Sequence, residues 1–162
     1  MPYTILFVCT ANSARSIMAE ALLNTLGGGR FRGYSAGSEP SGEVHPEALD
    51  SLHRAGCDTR GLRSKGWGEF TGEDAPDIDF VITVCDRAAV KACPVFPGMP
   101  VTAHWSVHDP AATVGSDALR REAFQVALAT LRRRVQHLTS LPFDSVDVIA
   151  LRGAVREIGA IP

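Results

Sequence analysis

Residues 9–16, CTANSARS, place a cysteine, a five-residue gap, and then Arg15 and Ser16. The apolar run YTILFV (3–8) leads into this stretch, and a helical pattern leaves it at Ser16. A short loop feeding a helix can turn successive backbone N–H groups inward. With the helix dipole added, these make an anion-binding nest. Thr10, Ala11, Ser13 and Ala14 are small, so the backbone can approach a ligand closely. Asn12 tolerates a left-handed conformation and can bond across the loop. The planar fork of Arg15 can clamp two oxygens of a tetrahedral oxyanion, and the Ser16 hydroxyl can donate to a sulfur. Thr10, Ala11, Asn12, Ser13, Ala14, Arg15 and Ser16 are therefore the candidate oxyanion-binding set. In such a field Cys9 is expected to be a thiolate at neutral pH, because comparable surroundings lower a thiol from ~8.5 to about 3.5–7.5. A thiolate at the base of an oxyanion cradle is a nucleophile aimed at the ligand's central atom.

The elements that must hold this loop follow from periodicity. YTILFV reads as a buried strand, and Met18, Ala21, Leu22, Thr25 and Leu26 share one face of the helix after it, which Gly27–Gly29 stop. FRGYSAG (31–37) reads as a second strand and HPEALDSLHRAG (45–56) as a second helix opened by Pro46. Residues 61–76 read as a loop with one helical turn. DFVITV (79–84) and VTAHW (101–105) are further strands. The longest helix is expected over 117–139, where Phe124, Leu128, Leu131, Val135 and Leu138 form an apolar stripe. The tail after Pro142 is expected to be a short helix or turn. Alternating strands and helices predict one α/β domain over residues 1–162, with a parallel sheet and helices on it. In such sheets ligands sit at the carboxyl ends of the strands. Cys9, Cys85 and Asp109 all fall just after predicted strands.

Bulk properties exclude several classes. The chain has 162 residues, 45% hydrophobic and 21% charged, with a formal net charge of −2. That balance steers it neither to nucleic acid nor to an anionic membrane. No apolar run nears the roughly 18 residues of a spanning helix, and the N-terminus lacks a basic n-region, so the cytoplasm is the expected location. The cysteines are Cys9, Cys57, Cys85 and Cys93. No C-x2-C spacing is present, which argues against zinc. Cys57 reads as a buried apolar residue, and Arg132, Arg133 and Arg134 as a solvated face.

CTANSARS resembles the phosphate-binding loop of the low-molecular-weight protein tyrosine phosphatases and of the arsenate reductases built on the same fold. YSAGSEP (34–40) and GLRSK (61–65) are similar to further segments of that family. TVCDRAAVKACPVFPG (83–98) and TAHWSVHDPAA (102–112) resemble its reductase branch. The resemblance implies a three-layer α/β sandwich around a four-stranded parallel sheet. It implies catalytic roles for Cys9, Arg15, Cys85, Cys93 and Asp109: attack on arsenate by Cys9, protonation of the departing oxygen by Asp109, and a Cys9/Cys85/Cys93 disulfide relay. It also implies an external reductant, thioredoxin or alternatively glutathione with glutaredoxin, or mycothiol. Phosphate and sulfate would compete with arsenate, and the chain would act as a monomer. Some family members bind potassium beside the loop, for which Asn12, Glu20 and Ser35 are candidate ligands. Phosphatases of this type carry aromatic residues after Asp-Pro; here Ala111 and Ala112 stand there. The alternative implied activity is hydrolysis of phosphate monoesters through a Cys9 phosphoenzyme.

Overall fold

A computed structural model describes residues 2–85 and 96–162. Cys93 lies outside the described residues. Strands β1 (Tyr3–Cys9), β2 (Phe31–Gly37), β3 (Phe80–Thr83) and β4 (Val101–His104) form one parallel sheet in the order β2-β1-β3-β4. Helices α1 (Arg15–Leu26), α2 (Pro46–Arg54), α3 (Asp117–Thr139) and α4 (Val148–Ile158) flank it. This is the three-layer α/β architecture expected.

β1 and β3 are central, and Ile5–Cys9 and Phe80–Thr83 are buried throughout. Strands covered on both faces need nearly unbroken apolar runs rather than alternation, as in ILFV (5–8) and FVI (80–82). Register puts Cys9 opposite Gly37, and Val8 opposite Thr83. The ends of β1, β2 and β3 thus lie level, and the loops that leave them share one edge of the sheet.

α1 is not amphipathic in the expected sense: Thr25 is exposed, whereas Ile17, Ala19 and Leu23 are buried beside Met18, Ala21 and Leu22. The helix packs on β1, β2, α2 and α3 together, so most of its circumference is covered. The segment after Pro142 carries an eleven-residue helix, one of the two forms expected there. Asp147 caps it, accepting from the Ala150 N–H at 2.8 Å. The stripe on α3 is as expected, with Phe124, Leu128, Leu131, Val135 and Leu138 all buried. Among the described residues no helix is long and apolar enough to cross a membrane.

Candidate active site

The loop between β1 and α1 is held by its carbonyls. Cys9 O, Thr10 O, Ala11 O and Ser13 O accept backbone hydrogen bonds from Ser38, Glu39, Ser41 and His45, at 2.8–3.1 Å. A peptide's N–H points opposite to its C=O. Anchoring these carbonyls outward therefore turns the amides of the following residues to the other side, where the nest was expected. Asn12 takes φ +47°, the left-handed conformation foreseen for it. At the start of α1 no side chain caps the helix and its first turn has no acidic residue. Gly37 makes the close fit possible: a Cβ there would stand 2.4 Å from Thr10 O.

Cys9 is 3% exposed. Its Sγ lies 2.8 Å from Ser16 Oγ and accepts the Asn12 backbone N–H at 3.2 Å. The Asn12 side-chain amide donates to the same Ser16 oxygen at 2.7 Å, which leaves the serine hydrogen for the sulfur. Asn12 Oδ1 in turn accepts the Lys65 backbone N–H at 2.9 Å. Burial pushes the Cys9 thiol above the ordinary range, and the bonds from Ser16 and Asn12 only oppose that rise.

Arg15 opens α1 and spans to the loop after β4. One guanidinium nitrogen donates to Val107 O at 3.1 Å, and another stands 3.6 Å from Asp109 Oδ2. Asp109 Oδ1 caps the short 3₁₀ turn Pro110–Ala112 by accepting the Ala111 N–H at 3.0 Å. The structure therefore brings Asp109 to Arg15, beside the loop of Cys9, from a distant part of the sequence. Cys85 joins them: it is 3% exposed, and its Sγ lies 3.4 Å from Thr10 Oγ1 on the nucleophile's own loop. Cys57 is buried, and the three described cysteines are free thiols. Ala111 and Ala112 are exposed, so no aromatic wall rises behind Asp109 at those positions.

The potassium site does not fit. Ser35 Oγ donates to Glu20 Oε1 at 2.6 Å, and Lys65 Nζ stands 3.6 Å from the same carboxylate oxygen. Asn12 Oδ1 is taken by the Lys65 backbone. The ammonium of Lys65 supplies the positive charge where a cation was expected. Both partners are deeply placed, Glu20 at 12% and Lys65 at 6% side-chain exposure. Burial pushes the carboxyl up and the ammonium down, while each partner's charge pulls the other back. Among the described residues no group of three or more His, Cys, Asp or Glu could hold a metal ion. Lys65 was missed as a site residue, although it is one of two lysines in the chain and lies in GLRSK.

The family's sequence model, described as low molecular weight phosphotyrosine protein phosphatase, matches residues 4–147. The chain belongs to this family. Arsenate reductase 1 of Staphylococcus epidermidis is 36% identical over 136 residues, 82% of this chain and 97% of that protein. The glutaredoxin arsenate reductase of a Synechocystis species is 33% identical over 134 residues, 83% of this chain and 94% of that one. A solved structure of an arsenate reductase in the phosphate binding state superposes with a TM-score of 0.65 at 31% identity, covering 85% of this chain and 97% of the other.

Proposed function

We propose that the chain reduces arsenate to arsenite, with Cys9 as nucleophile and Cys85 as the second thiol. The observation that carries this reading is the placement of Cys85 against Thr10, beside the loop of Cys9. A phosphatase needs one thiol, whereas moving two electrons onto arsenic needs two. Relatives named arsenate reductases over most of the chain support the same reading.

The arsenate dianion enters the loop and accepts the Cys9 proton, which the buried thiol carries until then. The loop amides and Arg15 hold the three remaining oxygens. Once Arg15 turns to the oxyanion, Asp109 relays the proton taken from Cys9 to the departing oxygen, which leaves as water. Cys85 then attacks Cys9 Sγ; the S–As bond breaks, its electron pair reduces arsenic to arsenite, and a Cys9–Cys85 disulfide forms. Cys93 attacks Cys85 in turn, which frees Cys9. An external dithiol of the thioredoxin class returns the two electrons.

The test is arsenate-dependent NADPH consumption with thioredoxin and its reductase, run beside glutathione with glutaredoxin, on wild type and Cys93→Ser. The reading expects turnover by the wild type and about one arsenite per Cys93→Ser molecule with thioredoxin. Absence of arsenite in every arm, with steady hydrolysis of an aryl phosphate, would instead favour the phosphatase reading.

A further inference from the structure

α4 and the residues after it lie beyond 4–147, the stretch the family's sequence model matches, and the reaction above uses none of them. They pack on the segment that carries Asp109. β4 is an edge strand, and Arg156 Nε donates to its Thr102 carbonyl at 3.1 Å. The fully buried Trp105 donates its ring N–H to Val155 O in α4 at 2.8 Å. Gly159 comes so near the strand end that a Cβ there would stand 2.4 Å from His104 O and 2.9 Å from Trp105 Cδ1.

Arg134 closes the bracket. The expectation of a solvated arginine face fails at this position, because Arg134 is 6% exposed. Its Nε donates to Ile161 O at 3.0 Å and a terminal nitrogen donates to Ser106 O at 2.9 Å. The next carbonyl, Val107 O, accepts from Arg15. Two successive carbonyls, two residues ahead of the acid, are thus each gripped by an arginine. One arginine belongs to the oxyanion loop, and the other ties the C-terminal residues to the backbone. A guanidinium buried on carbonyls loses its water, so the arrangement persists only where the geometry it fixes is well defined.

We propose that α4 and the tail, acting through Arg134 and Trp105, are a positioning device for Asp109. They fix the backbone of residues 105–107, so that the carboxyl meets the oxyanion held by Arg15. Arg134 and Trp105 are positioning residues in this account, not catalytic ones. The inference rests on the reading of Asp109 as proton donor.

The test is a double-mutant cycle on the full chain. Trp105→Phe keeps the ring and removes the N–H; Arg134→Gln removes the grip on Ser106. Each is made alone and with Asp109→Asn, and single-turnover arsenite formation is measured at saturating arsenate. Each single variant should slow that step roughly tenfold or more, since small misplacements of a reacting group are costly. Phosphate protection of Cys9 against alkylation should stay as in wild type. In the Asp109→Asn background both losses should shrink to less than about twofold, the mark of groups acting through one residue. Equal losses in both backgrounds, or no loss in Trp105→Phe and Arg134→Gln alike, would overturn the inference and leave Asp109 as the acid. An Asp109→Asn protein as fast as wild type would remove the proton-donor reading and this inference with it.

Discussion

The Cys9 sulfur and the Ser16 hydroxyl stand 2.8 Å apart, and the Asn12 side-chain amide fixes which way that hydroxyl points. Burial raises the thiol's pKa, and these bonds lower it. Alkylation of Cys9 by iodoacetamide should therefore show a pH midpoint above that of an ordinary thiol, about 8.5. Ser16→Ala removes an opposing bond and should move the midpoint further up. The sign carries over to stability. A thiol whose folded pKa is raised gives its full contribution below the unfolded value, and that contribution is lost as pH rises through the folded value. Urea midpoints should thus fall from about pH 8.5 upward, and a Cys9→Ala protein should show a smaller fall. A midpoint below that of a free thiol would mean that the loop dipoles outweigh burial.

Cys85 separates reduction from hydrolysis. Its sulfur touches the loop through Thr10, but a phosphoenzyme at Cys9 can form and break without it. Cys85→Ser should abolish arsenite release and leave a mass increment on Cys9 after incubation with arsenate. Its hydrolysis of an aryl phosphate should stay within about twofold of wild type, since no interaction of the phosphoryl step is removed. Undiminished arsenite release by this variant would take Cys85 out of the mechanism.

Gly37 lies where β2 meets the loop, opposite Cys9 in the sheet register. Alanine there would bring a Cβ to 2.4 Å from Thr10 O and 3.0 Å from the Asn12 backbone nitrogen. These contacts are backbone, so no side chain can swing aside and the loop itself must shift. Overpacking of this kind costs about 1–3 kcal/mol. Gly37→Ala should lower the urea midpoint accordingly and weaken phosphate protection of Cys9 more than its stability loss alone would. Unchanged phosphate affinity would show that the loop shape tolerates the shift.

The loop, the sheet and the stripe of α3 were legible because each is written locally. Cys9, Asn12, Arg15 and Ser16 act within one loop, and the two central strands run nearly apolar. What the sequence hid is non-local. The burial of Cys9, which pushes its thiol up, depends on packing that no loop motif encodes. Arg134 sits in a run of three arginines that looks solvated, and its partners, Ser106 and Ile161, lie 28 and 27 residues away in opposite directions along the chain. Lys65 reaches Glu20 from a different element altogether.

That Lys65–Glu20 pair yields the sharpest charge test. Nζ also donates to Arg63 O at 3.0 Å, and the lysine backbone supports Asn12, so the side chain ties α1 to the residue that shapes the loop. With an ammonium already beside the carboxylate, activity and melting temperature should be the same in potassium as in sodium or choline chloride at equal ionic strength. Lys65→Met strips the carboxylate of its partner. Breaking a buried pair this way costs about 3–5 kcal/mol, because one charge is left desolvated and uncompensated. Adding Glu20→Gln to Lys65→Met removes that charge and should recover most of the loss, although the ion pair itself is gone. Two losses that simply add, measured by urea unfolding, would mean that the pair contributes through packing and not through charge.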